Sequence, residues 1–330
     1  MPALSAYRRL TRLAHVRLLS AAGVAAASAL LAATSLSGVA QAATLPVNYD
    51  FIAGATAAAF SPATPPPGAN NWSCRPSTAH PYPVILVHGT FANMSDNWQA
   101  AAPLLYNHGY CVFAFNYGGS SASSPIQGTG DIAASAAALS SFVNQVLAAT
   151  GAAKVDLVGH SEGGMMPRYY INFLGGASRV HALVALAPSN YGTTLDGITT
   201  LAGYLGAASL INGGLSSACA ACVEQERGSA FLAGLNAAPT VPGVSYTVIE
   251  SVDDEVVTPY TSAWLPAAPN VADITVNKQC ALDFSDHLEI AADPVALADL
   301  LNALGPASPV KVPCLTVLPV TGPVGPVPAF

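Results

Sequence analysis

The sequence predicts an α/β fold, with a mostly parallel central sheet, helices on both faces and a small cap or lid insertion. Three observations carry this. Several short runs are apolar throughout, which is the pattern of strands buried on both faces. Stretches with helical spacing of apolar residues separate them, as in a sheet wound from strand–helix–strand units. Once a leader is set aside, the chain is long enough for one sizeable core, and no linker divides it.

Segment 45–80 reads as loop, with Pro65, Pro66 and Pro67 among Asn and Ser. The first strand is 83–87, ending at His88-Gly89-Thr90. A helix is expected from near Ser95, as its cap, to Asn107. Residues 111–116 form the second strand. An Ala-rich helix over 131–150 follows, with Ile132, Leu139, Phe142, Val143 and Val146 at helical spacing. Strand 155–158 runs straight into Gly159 and then a helix to Phe173. Runs 180–186, 246–249 and 271–276 complete the strands, and 293–304 makes a last helix. Segment 191–238, rich in Gly, Ala, Leu and Ser without a strand of its own, interrupts the rhythm where a cap or lid would be inserted. The Pro-rich tail, 306–330, is expected to be extended. Its Leu318-Pro319-Val320-Thr321-Gly322 matches the cell-wall sorting signal, but no membrane stretch and basic end follow, so a plain tail is expected.

Residues 1–43 have the form of a signal peptide. Arg8, Arg9, Arg12 and Arg17 precede an uncharged stretch, and Ala40-Gln41-Ala42 offers a cleavage site near Ala42/Ala43. Retention as a membrane anchor fits the Ala, Ser and Gly content and the cleavage site less well. The Arg8-Arg9 pair is too little to choose a twin-arginine route over the general one. Without the leader, seven Lys and Arg face 18 Asp and Glu, a formal charge of −11. That sign argues against nucleic acid and against attraction to anionic membranes. Six cysteines in an exported chain read as three disulfides of open connectivity, Cys219-Ala-Ala-Cys222 being a structural bridge rather than a redox or zinc site. No metal or cofactor motif is visible.

The motif with chemical content is Gly159-His160-Ser161-Glu162-Gly163. A strand that turns sharply into a helix crowds its own backbone, so glycines flank a serine whose hydroxyl stands at the strand's carboxyl end. In so Gly-rich a chain the pattern alone is weak, and the strand before and helix after give it weight. Such a serine needs a base, and the base needs a carboxylate, in the order Ser, acid, His. His287 is the histidine that follows the region where the acid should lie. Glu250, Asp253, Asp254 and Glu255 are all candidates for the acid, and the pattern does not choose among them. An oxyanion would need two backbone N–H donors. Glu162 supplies one, and Thr90, with Phe91 as rival, supplies the other.

These motifs resemble the secreted bacterial class 2 triacylglycerol lipases, of the α/β-hydrolase type. The resemblance is carried by the run from Pro83 to Thr90, by the Ser161 pentapeptide with Gly164, by Asp254-Glu255-Val256-Val257-Thr258-Pro259-Tyr260, and by Asp286-His287-Leu288. More distantly the chain is similar to the fungal lipase B group, through Ala187-Pro188 and Gly192-Thr193. The resemblance implies Ser161 as nucleophile, Asp254 as acid and His287 as base, with Thr90 and Glu162 at the oxyanion hole. It also implies the pairs Cys74–Cys111, Cys219–Cys222 and Cys280–Cys314. Glu162 stands where the fungal enzymes have an amide, and a carboxylate there would oppose an oxyanion unless turned away or protonated.

The expectation is a secreted, monomeric serine hydrolase of acylglycerol esters, needing no cofactor and working at a lipid–water interface. With 52% hydrophobic and 9% charged residues, the chain must leave apolar surface exposed, which fits that setting. The alternatives are a short-chain carboxylesterase or polyester hydrolase, and a cell-envelope acyltransferase. An intact set of reactive groups speaks against a non-enzymatic surface protein.

Overall fold

Six of the apolar runs form one parallel sheet in the computed structural model, which describes residues 44–209 and 218–330. The strands are β1 (Val84–Val87), β2 (Val112–Ala114), β3 (Val155–His160), β4 (Val180–Leu186), β5 (Ser245–Glu250) and β6 (Val271–Thr275). Their order is β2-β1-β3-β4-β5-β6, with every neighbouring pair parallel. Successive side chains on a strand point to opposite faces, yet every residue of β1 and β3 is buried, so both faces of the sheet centre are covered. The proposed leader lies outside the described residues, as do 210–217 of the proposed insertion.

The covering helices are α1 (Phe51–Ala58), α2 (Ala101–Asn107), α3 (Ile132–Thr150), α4 (Glu162–Phe173), α5 (Leu195–Tyr204), α6 (Ala220–Glu224), α7 (Ala230–Leu235), α8 (Val276–Gln279) and α9 (Pro294–Leu304). Local chemistry sets several ends. Asp131 caps α3 by accepting from the Ala134 N–H at 2.8 Å, and Gly151 closes it at φ 74°. Asp293 caps α9, with Pro294 in its first turn. Among the described residues, α3 is the one helix long and apolar enough to cross a membrane. Its Leu139, Val143 and Val146 are instead buried in the core.

Three expectations need correction. Segment 45–80 is not all loop, because Asp50 caps α1 and Phe51 inserts into the core at 3% exposure. The helix expected from Ser95 begins at Ala101, because Asn93 and Asp96 bond the backbone N–H groups of 93, 95 and 96 and hold the preceding turn out of helical form. The tail is not simply extended. β7 (Val317–Leu318) and β8 (Gly322–Pro323) pair antiparallel around a turn in which Val320 has φ 63°. That turn is strapped down on both sides, since the Val320 carbonyl accepts from the Ile52 N–H at 3.2 Å and its own N–H donates to Asp286 Oδ1 at 3.3 Å.

The cysteines pair as Cys74–Cys111, Cys219–Cys222 and Cys280–Cys314, with Cα separations of 5.8, 5.2 and 5.1 Å. The first ties the N-terminal segment to the start of β2, and the last ties the tail to the end of α8.

Candidate active site

The order in which strands are added switches direction between β1 and β3, β2 lying to one side and β3 to β6 to the other. A crevice at the carboxyl ends of strands is expected at such a switch point. Both the His88-Gly89-Thr90 loop and Ser161 sit there. Ser161, between β3 and α4, has φ 56° and ψ −124°, a conformation most residues avoid. Packing enforces it. A Cβ at Gly159 would overlap the Gly163 carbonyl, and one at Gly163 would overlap the carbonyls of Val87 and His88. The glycine spacing is therefore a demand of close backbone approach.

Three side chains from distant parts of the chain meet at this turn. Ser161 Oγ lies 2.9 Å from His287 Nε2, and His287 Nδ1 lies 2.8 Å from Asp254 Oδ2. All three residues are buried. The other oxygen of Asp254 accepts from the N–H groups of Val256 and Val257, each at 2.8 Å, which fixes the carboxylate. His160 Nε2 donates to the His287 carbonyl at 2.8 Å and anchors the backbone that carries the imidazole. Burial disfavours a charge on His287, but Asp254, with Glu255 and Asp286 beyond it, outweighs burial and holds its pKa above the ordinary value. Asp253 is exposed and bonds Asn277 instead. Glu250 is buried beside Asp254, and burial together with that neighbouring charge pushes its pKa well up.

The two oxyanion candidates after β1 differ in one respect. Phe91 donates its N–H to the Gln127 carbonyl at 2.9 Å, whereas no acceptor meets the N–H of Thr90 or of Glu162 among the described residues. A cavity of about 10 Å³, space for the centre of one water, opens beside Ser161. Thr90, Ile198, Leu201, Val256 and Val257 are among its lining residues. No group of three or more metal-ligating side chains occurs among the described residues.

A profile of the family described as Lipase (class 2) matches residues 81–297. The chain belongs to the class 2 lipases. Over 93 residues it is 44% identical to triacylglycerol lipases of Pseudarthrobacter phenanthrenivorans and Burkholderia plantarii. That stretch covers 27% of this chain and 27% and 24% of theirs, about a quarter of the length of these relatives. Among solved structures, Aspergillus fumigatus lipase B aligns with a TM-score of 0.51 at 17% identity, over 76% of this chain and 57% of that one. This is a likeness of fold, the α/β-hydrolase fold.

In this class 2 lipase family member the structure adds groups that sequence reasoning missed. Ser189 Oγ donates to Gln225 Oε1 at 2.7 Å, Gln225 Nε2 donates to Thr90 Oγ1 at 2.8 Å, and Thr90 Oγ1 lies 2.5 Å from Glu162 Oε2. The chain of bonds joins the insertion to both N–H donor residues. No local pattern could have found Gln225, which lies 135 positions from Thr90. His88 and His160 flank the site but stay neutral, burial lowering their pKa values to about 4 and about 3.

Proposed function

We propose that this chain hydrolyses carboxylic esters, acylglycerols foremost, through an acyl-enzyme on Ser161. The observation that carries the reading is the continuous buried line from Ser161 through His287 to Asp254, beside two unengaged N–H groups. Ser161 Oγ attacks the ester carbonyl while His287 Nε2 takes its proton, and Asp254 holds the tautomer that makes Nε2 the acceptor. The tetrahedral oxyanion rests on the N–H groups of Thr90 and Glu162, each such donor being worth about 10²–10³ in rate. Collapse of the intermediate breaks the bond to the alcohol, which leaves with the proton from His287. Water, deprotonated by the same imidazole, then releases the acid and restores Ser161.

Greasy substrates are favoured by the apolar lining and by the roof over it. Leu195 and Tyr204, at the two ends of α5, are 52% and 46% exposed, and Val223 of α6 is 38% exposed. Ile198 and Leu201 of α5 and Cys222 of α6 line the small cavity, which supports the reading of 191–238 as a cap over the acyl site. The small cavity favours a second reading, a carboxylesterase for short or polymeric esters. The leader 1–43 and three cystine pairs support export of a chain folded as a single domain over 44–330.

Ser161→Ala tests the chemistry: turnover of nitrophenyl esters should vanish, and persisting turnover refutes the nucleophile. A series of acyl lengths, with and without an emulsified interface, tests the substrate class. Butyrate preference with no response to emulsion rejects the lipase reading.

A further inference from the structure

The Glu162 side chain has had no role so far. Its carboxyl is fully buried in the wall of the site, with Thr90 Oγ1 at 2.5 Å from Oε2 and no partner for Oε1 among the described residues. No cation answers it, since the ion pairs among the described residues are His181–Asp156 and His287–Asp254. Gly128 lies close on another side, where a Cβ would stand 3.3 Å from Oε2. The carboxyl thus links, side chain to side chain, the two residues whose unengaged backbone N–H groups are proposed above to hold the oxyanion.

We propose that Glu162 acts in its neutral, carboxylic acid form as a positioning residue, clamping Thr90 and so setting the spacing of the two donors, and that its ionisation lowers turnover. The inference rests on the reading of Ser161 as nucleophile. Donor counting supports it. Thr90 Oγ1 already accepts from Gln225 Nε2. The Thr90 hydroxyl can donate to Glu162 Oε2, but a neutral Glu162 can reverse that bond and donate to the same oxygen, which leaves the Thr90 hydroxyl proton free for the cavity that Thr90 lines. An ionised Glu162 can only accept, so it takes that proton. It also places a fixed negative charge in a dry site where the transition state must grow another, and like charges repel strongly there.

The surroundings favour the neutral form through the ordinary working range. Burial pushes the Glu162 pKa up to about 8; the Thr90 bond works against this and the charge of Glu224 on α6 adds to it. Tyr117, following β2, donates its hydroxyl to the His88 carbonyl, and burial with the nearby Glu162 holds its pKa well up. His88, just after β1, and His160 of β3 are neutral, and Gln225, just after α6, carries no charge. Beyond Ser161, His287 is matched by Asp254.

The test is the pH profile of kcat for a soluble nitrophenyl ester, in the wild type and in Glu162→Gln, which keeps the shape of the neutral side chain. Wild-type kcat should fall about tenfold for each pH unit above about 8. Relative to its own kcat at pH 7, whatever that value is, Glu162→Gln should show no alkaline fall up to pH 10, while Glu162→Ala, which removes the clamp, should lose at least about tenfold in kcat at every pH. The same alkaline fall in Glu162→Gln overturns the proposal. So does a wild-type kcat flat to pH 10, which can be read even where a variant does not fold. The acid limb, set by His287, should be unchanged in Glu162→Gln. Activity persisting in Ser161→Ala would instead count against the serine reading, whatever the alkaline limb shows.

Discussion

The edge of the sheet that carries Ser161 and the roof over it, formed by α5, α6 and α7, are built on different principles. At the edge, backbone meets backbone. Gly159 and Gly163 leave no room for a methyl group, β1 and β3 are wholly buried, and the strained Ser161 has no alternative geometry. In the roof, Gly203 and Gly234 have open space where a Cβ would go, Leu195 and Tyr204 face solvent, and Gln225 bonds down to Thr90. The edge is therefore held by backbone in close approach, while the roof is held by side chains: Ile198, Leu201 and Ala202 of α5, Ala221 and Cys222 of α6, and Leu232 and Leu235 of α7 pack into the core beneath an outer face open to solvent.

The largest expected effect lies within the edge itself. Asp254→Asn should lower kcat by about 10⁴, as loss of the orienting carboxylate does in such triads. Asp253→Asn, one residue away and exposed, should leave kcat within about twofold. Equal losses would undo the geometric assignment. Next comes a paired glycine experiment. Gly163→Ala must push the carbonyls of Val87 and His88 aside and should cost about 3 kcal/mol or more in denaturant unfolding. Gly234→Ala, inside a helix with free space around it, should stabilise by about 0.5–1 kcal/mol. The same sign at both positions would erase the contrast. A third test addresses the roof's outer surface. Leu195→Asp with Tyr204→Asp should leave hydrolysis of soluble esters intact and reduce that of emulsified triglyceride several-fold; equal reduction of both would remove the interface from the account.

The smallest effect is expected in stability against pH. Burial holds Glu162 and Glu289 neutral to about 8 and about 10, so the folded chain keeps protons there that the unfolded chain has released. His88 and His160, with lowered pKa values, act in the opposite sense below pH 6.5. Above that pH they are neutral in both states, while His287, whose pKa the fold raises, keeps a proton that the unfolded chain releases and so acts in the same sense as the carboxyls. Stability then falls as pH rises. The melting temperature should drop by several degrees from pH 6.5 to 9, and calorimetry showing a rise would contradict the buried neutral carboxyls.

Much of the edge was legible in the sequence because its demands are local. Apolar runs announce strands buried on both faces, and the glycines around Ser161 report a crowded turn within five residues. The resemblance picked Asp254 from four carboxylates. The physical distinction, that Asp253 faces Asn277 while Asp254 receives two backbone N–H groups, exists only once β5, α8 and the 280–293 loop are packed together. α1 was missed because its eight residues carry a weak periodic signal. Docking stabilises it, through Phe51 in the core and a bond from the Phe51 N–H to Glu289 at 3.1 Å. The Ser189–Gln225–Thr90–Glu162 chain was invisible for the same reason, each partner being supplied by a distant segment.

The strapped turn at Val320 ties together two segments that lie far apart in the sequence. Asp286, which receives the Val320 N–H, immediately precedes the imidazole at 287, and the same turn grips the start of α1. One clamp therefore serves both, and prising that turn away would free the segment carrying the imidazole and the first helix at once.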